Sequence, residues 1–155
     1  MIKSILKSFY YAFRGIRTAV MNERNFRIHL VAVLYVSAFS VIYGFERLEY
    51  AILFLTLYIV PAFELFNTAI ESIVNLKEQK ISAYARIAKD TAAAAVLVAS
   101  VISVVVAVFL FSDMEKLSGA LLFLLRIPII IIIIISIILS IIFIKGNFKN
   151  FNQKK

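Results

Sequence analysis

The chain has 155 residues, a formal net charge of +8 and no cysteine. Hydrophobic residues make up 63% of it, against roughly 45–50% in an average soluble domain, and the mean hydropathy is +0.96. These values exclude an ordinary soluble domain, a disulfide framework and a thiolate metal centre, and they point to an integral membrane protein built as one compact helical unit.

Residues 2–21 carry Ile2, Ile5, Leu6, Phe9, Phe13, Ile16 and Val20 at alternating three- and four-residue steps, with Lys3, Lys7, Arg14 and Arg17 mostly off that stripe. This is the pattern of an amphipathic helix lying in a membrane interface, and not of a cleavable signal peptide. A polar knot follows at 21–30. Glu23 is the one acid among six basic residues in the first 27. His29, the only histidine of the chain, reads as a snorkelling or hydrogen-bonding residue at a helix entrance. A first span is expected at about 28–45, then a short connection at 44–49.

The second span starts near Tyr50 and runs into Glu64, Asn67, Thr68, Glu71 and Asn75, spaced i, i+3, i+4, i+7 and i+11. That spacing is one helical face. At 1.5 Å per residue, Glu64 lies about 21 Å beyond Tyr50, towards the far interface. Pro61, one turn before Glu64, is expected to bend the helix. Residues 76–89 read as a polar loop, Asp90 as a helix N-cap, and 91–95 as small residues that let helices approach closely. The third span ends near Phe111. After a connection at 112–118, a fourth span at about 119–144 is expected to pack or face lipid without chemistry, and 145–155 form a basic tail.

Charge sets the expected topology. Residues 1–27 hold six Lys and Arg, 75–90 four and 145–155 four, whereas the two opposite connections hold one each, Arg47 and Lys116. With four spans the basic segments share one side, which the positive-inside rule makes cytoplasmic, with both termini there. The positive charge therefore follows topology and gives no support to nucleic-acid binding. Glu23, Glu71, Asn75, Lys89 and Asp90 are all brought to that interface.

Ionisable groups inside an apolar helix are costly and usually functional. Glu23 and Glu71 could clamp a hard divalent cation such as Mg²⁺, which takes few protein carboxylates and completes its shell with water and phosphate. Lys89 could offset polyphosphate charge, and Glu64, set deeper, suits a general base. Phosphoryl transfer needs mainly positioning and charge neutralisation. Neither GxxxxGK[ST] nor GxGxxG occurs, so a nucleotide site would be of neither the P-loop nor the protein-kinase type. The residues alone leave a second reading open: a non-enzymatic or cation-coupled membrane protein using Glu64 and Glu71 as an ion site.

Four motifs extend the reading: Tyr11-Ala12-Phe13-Arg14-Gly15-Ile16, Asn22-Glu23-Arg24-Asn25-Phe26-Arg27, Glu64-Leu65-Phe66-Asn67-Thr68-Ala69-Ile70-Glu71, and Ala88-Lys89-Asp90 with the alanines after it. In these the chain resembles the prokaryotic integral-membrane diacylglycerol kinase / undecaprenol kinase family over about residues 4–111. The Glu-Arg-Asn-Phe-Arg-Ile-His-Leu segment is more similar to the undecaprenol kinase branch. The resemblance implies an all-α membrane protein with an N-terminal amphipathic surface helix and four transmembrane helices, three of them a kinase core. Residues 1–118 would be the lipid kinase domain, with 119–155 an extra helix and tail.

It implies a homotrimer that uses ATP and Mg²⁺ to phosphorylate a lipid alcohol, undecaprenol or diacylglycerol, at the cytoplasmic face of a bacterial inner membrane. Carried over by position, Glu64 would be the base, with Asn67 beside it at the lipid. Glu23 and Glu71 would hold Mg²⁺ and the ATP phosphates, Lys89 and Asp90 would contact ATP, and Tyr11 would lie near the nucleotide. The chain departs from the family pattern at Asn75, commonly aspartate, at Ser82 and Tyr84, where a histidine is common, and at Ser4, sometimes arginine. Residues 119–155 also exceed the usual three-span form.

Overall fold

The computed structural model describes residues 2–77 and 82–146. Residues 78–81, within the stretch read from the sequence as a polar loop, and 147–155, within the stretch read as a basic tail, lie outside the described residues. Among the described residues six helices follow in chain order: α1 (Ile2–Asn22), α2 (Arg24–Tyr43), α3 (Arg47–Lys77), α4 (Ala83–Leu110), α5 (Met114–Leu124) and α6 (Ile127–Lys145). Four of them, α2, α3, α4 and α6, are long and apolar enough to cross a bilayer. No strand occurs among the described residues.

α1 forms over the stretch its periodicity predicts. Its stripe at Ile5, Leu6, Phe9, Phe13 and Ile16 is exposed rather than packed on the bundle, and only Ala19 near its end is buried. An apolar stripe left bare on a basic helix suits contact with lipid. α1 and α2 meet at Glu23, whose backbone is extended (φ −105°, ψ 111°) and whose side chain does not cap α2. The carboxylate is therefore not used on backbone N–H groups.

The α2–α3 connection turns on Gly44, at φ 76° in the left-handed region that glycine tolerates without strain. Around it Tyr43, Phe45, Leu53 and Ala120 form a buried cluster. The Tyr43 hydroxyl accepts the Asp113 N–H at 3.1 Å, which ties the start of α5 to the end of α2. α3 remains one helix through Pro61. Its main partner is α4, against which Val60 packs on Val96 and Ala99. On α4 the buried positions are Ala85, Ala92, Val96 and Ala99, so small side chains carry the close approach of the two helices. Ala93 and Ala94 are exposed.

Three local expectations need correction. The N-cap of α4 is Ser82, whose hydroxyl accepts the Ala85 N–H at 3.1 Å, and Asp90 lies in the interior of the helix. Serine competes as well as aspartate for orphan amides, and no breaker separates it from residue 90. Residues 112–118 are not a plain connection, because Asp113 caps α5 by accepting the amides of Glu115 and Lys116 at 3.0 and 3.1 Å. The stretch at 119–144 is two helices. Pro128 stands in the first turn of α6, where its missing N–H costs nothing, and Arg126 ahead of it is extended (ψ 131°), which ends α5.

α6 joins α2 at two places. The Tyr35 hydroxyl reaches the Ser136 and Ser140 hydroxyls at 2.9 and 3.2 Å. Arg27, 5% exposed, donates from Nε and from its second terminal nitrogen to the Ile144 carbonyl at 3.3 and 3.1 Å. The other terminal nitrogen donates to the Val20 and Met21 carbonyls at 2.8 and 3.3 Å. One guanidinium thus satisfies the carbonyl ends of both α1 and α6, groups that no helix can satisfy internally, and it does so with the charge a helix C-terminus favours.

Candidate active site

The face read from the spacing of α3 is real, and its members divide by depth. Glu64 is 5% exposed. Its carboxylate Oε1 lies 3.5 Å from His29 Nε2, on α2. One turn further, Asn67 donates from Nδ2 to Glu71 Oε1 at 3.1 Å, while its Oδ1 is buried with no hydrogen-bond partner. Thr68, on the same face, gives its hydroxyl to the Glu64 carbonyl at 3.0 Å. Beyond Glu71 the face ends at Asn75, whose Oδ1 accepts from Lys89 Nζ at 2.8 Å.

Glu64 and Asn67 line a cavity of about 280 Å³, whose remaining wall is Asn25, Ile28 and His29 from the start of α2 and Ala93, Val96, Leu97 and Ser100 from α4. A second, apolar cavity of about 270 Å³ continues from His29 and Ser100 along α2, α3 and α4 past Val36, Leu53 and Val60. The site is therefore a polar end on an apolar slot, a shape suited to an amphiphile with its head at Glu64 and its chain in the membrane.

The charges of Glu23 and Glu71 both bear on the buried Glu64 carboxylate, so three acids from the α1–α2 junction and from α3 gather in one region. Among the described residues no three metal-ligating side chains converge. Glu23 and Glu71 are the carboxylates that would serve a cation borrowing one or two protein ligands and completing its shell with phosphate and water, as Mg²⁺ does. They do not suit an all-protein cage.

The structure brings Glu23, Glu64, Asn67 and Glu71 together, and places Lys89 beside them through Asn75. Asp90 follows Lys89 and is exposed. Tyr11 is not joined to this group. Its ring lies against Tyr10, Lys7 and Arg14, all on α1. Two participants were not assigned from the sequence. Asn75, whose role the pattern left open, is the neutral holder of Lys89. His29 is the partner of Glu64, and its only signal was being the one imidazole beside an apolar span.

Asn75 holds the ammonium of Lys89 without neutralising it, which leaves Lys89 its full charge. If the chain takes ATP at this end of the face, Lys89→Ala is expected to raise KM for ATP about tenfold or more, the equivalent of one charge-assisted hydrogen bond. Asn75→Asp, which converts the contact to an ion pair, is expected to raise it only about twofold to threefold. Steady-state kinetics with varied ATP measure both. An unchanged KM in Lys89→Ala would show that Lys89 takes no part in nucleotide binding.

The family model for prokaryotic diacylglycerol kinase matches residues 10–111. A diacylglycerol kinase of Synechocystis sp. is 43% identical over 105 residues, covering 66% of this chain and 59% of that protein. An undecaprenol kinase of Bacillus subtilis is 37% identical over 110 residues, covering 71% of this chain and 89% of that protein. A diacylglycerol kinase of Escherichia coli is 31% identical over 101 residues, covering 65% and 83%. The chain thus spans about three fifths of the Synechocystis protein and most of the other two. No solved structure matches it. All the residues of the acidic face, the α1–α2 junction and the Lys89-Asp90 pair lie within the matched segment, and the chain belongs to the prokaryotic diacylglycerol kinase family, a family of membrane lipid kinases.

Proposed function

We propose that the protein transfers the γ-phosphate of ATP to the hydroxyl of a membrane lipid alcohol, undecaprenol or diacylglycerol, at the cytoplasmic face of a bacterial inner membrane. The observation that carries this reading is the graded face of α3: a buried carboxylate at the end of an apolar slot, a carboxamide with a free buried acceptor, then a second carboxylate. Glu64 takes the proton of the alcohol, whose oxygen attacks the γ-phosphorus as the bond to the bridging oxygen breaks and ADP leaves. Asn67 Oδ1 receives a donor from the bound head group. Glu23 and Glu71 hold Mg²⁺, which supplies charge neutralisation at the phosphates. Lys89 and Asp90 contact ATP, and Tyr11 approaches the nucleotide from α1.

Residues 1–118 are the kinase unit in this reading, and 119–155 an addition to it. The resemblance extends the proposal to a homotrimer, which cross-linking in membranes would reveal as a third-order product.

The test is transfer of labelled γ-phosphate by the purified protein, with undecaprenol and diacylglycerol offered side by side. Label is expected in one or both lipids with Mg²⁺ and none in either with chelator. A folded protein that labels neither lipid with Mg²⁺ present overturns the proposal. Ion flux in proteoliposomes that ignores ATP would favour the carrier reading instead.

A further inference from the structure

The buried carboxylate of Glu64 needs a hydrogen-bond donor, since an ionised group left without one in a dry site is costly. The side-chain hydrogen bonds of its own helix nearest to it run elsewhere. Asn67 gives its amide to Glu71, and the Thr68 hydroxyl is on the Glu64 carbonyl. Across the cavity, the Ser100 hydroxyl is on the Val96 carbonyl, and the other α4 residues of the wall, Ala93, Val96 and Leu97, have apolar side chains. Asn25 is exposed. The ionisable groups bearing on Glu64 from the α1–α2 junction and from its own helix are Glu23 and Glu71, both acids. His29, from α2, is the group that the structure places against the carboxylate with an N–H to give. Its Nε2 lies 3.5 Å from Oε1 with the imidazole 25% exposed, a loose contact of the kind that shortens when substrate closes a site.

We propose that His29 is the positioning residue of the base. This rests on the reading of Glu64 given above. The neutral imidazole donates Nε2–H to Oε1, holds the carboxylate from a second helix, and leaves Oε2 to face the alcohol. When the alcohol O–H breaks, its proton goes to Oε2 and the freed oxygen pair forms the bond to phosphorus as ADP departs. The imidazole keeps its proton throughout. A glutamate side chain has three rotatable torsions, and displacement of a reacting group by about 1 Å can cost a hundredfold in rate, so a pin on the unreactive oxygen is where positioning has most effect.

The experiment uses the full chain in mixed micelles with Mg-ATP and the lipid alcohol that it phosphorylates. His29→Leu is expected to lower kcat about tenfold to a hundredfold, with KM for ATP within about twofold of the unaltered protein. His29→Gln keeps a donor and is expected to recover kcat to within about fivefold. In a Glu64→Gln background, His29→Leu is expected to add no further loss, because a residue acting through the base has nothing left to position. The inference is overturned if His29→Leu keeps kcat within about twofold, if glutamine rescues nothing, or if the two losses multiply. A merely structural role would move kcat, KM and thermal stability together and would not be rescued by glutamine. If Glu64→Gln alone retains full turnover, the base reading fails and the inference falls with it. A normal loss in Glu64→Gln with a silent His29→Leu removes only His29.

Discussion

Glu64→Gln is expected to lower lipid phosphorylation by about two to four orders of magnitude, the usual contribution of a general base. ATP binding should stay within about twofold. The separation follows from the helix: Glu71 lies seven residues on, about 10 Å along the axis, and pairs with Asn67 rather than with Glu64. Loss of the Glu64 charge therefore leaves the Asn67–Glu71 pair, the end proposed for the phosphates, intact. Thermal stability should hold or rise, since the substitution removes a charge that is buried and faces two other acids. Glu64→Asp retains the carboxylate but withdraws it by one methylene, and is expected to lose about a hundredfold, because position matters as well as basicity. Single-turnover kinetics and nucleotide titration on the same preparations decide the matter. Turnover within tenfold of the unaltered protein in Glu64→Gln would remove Glu64 from the chemistry.

Arg27→Leu is expected to cost about 2–4 kcal/mol of stability, and to uncouple the surface helix and α6 from the bundle. The estimate reflects charge-assisted hydrogen bonds at two helix ends, each worth about 1.5–3 kcal/mol, partly offset by solvation of the freed carbonyls. Arg27→Lys keeps the charge but not the fork, so it can serve one helix end only and should fall between. Arg27 lies four residues after Glu23, and its own amide donates to the Glu23 carbonyl at 3.3 Å. Loosening the junction should therefore raise the Mg²⁺ concentration needed for half-maximal turnover as well as lowering Tm. Truncation after residue 125 removes the α6 partner. If the guanidinium really bridges to Ile144, Arg27→Leu should cost less in the truncated protein than in the full chain. Equal costs in both would show that the α6 contact contributes nothing.

The expected helices formed where long-period patterns decide the structure. Four spans, the basic surface helix and the acidic face of α3 are consequences of where apolar and charged residues recur, and membrane helices satisfy their own backbone, so each can be read without its neighbours. The errors came where two local signals competed. Asp90 fits a cap ahead of an apolar run, but Ser82 lies upstream with an uninterrupted helical stretch between them. The apolar run at 119–144 hides a break that Pro128 marks, since proline is at home in the first turn of a helix and Arg126, two residues before it, is the extended cap.

The sequence by itself determined the membrane class, the helical register of Glu64, Asn67, Glu71 and Asn75, and a family whose shared segment covers that face. It did so because periodicity and motif spacing are local properties of the chain. Only the tertiary structure decided who meets whom: His29 with Glu64 across α2 and α3, Lys89 with Asn75 across α3 and α4, and Arg27 with a carbonyl 117 positions away. Those contacts depend on how the helices rotate and cross, which follows from the packing of small residues such as Ala92 and Ala99 against α3 and from the helix ends that must be satisfied. No single segment carries that information.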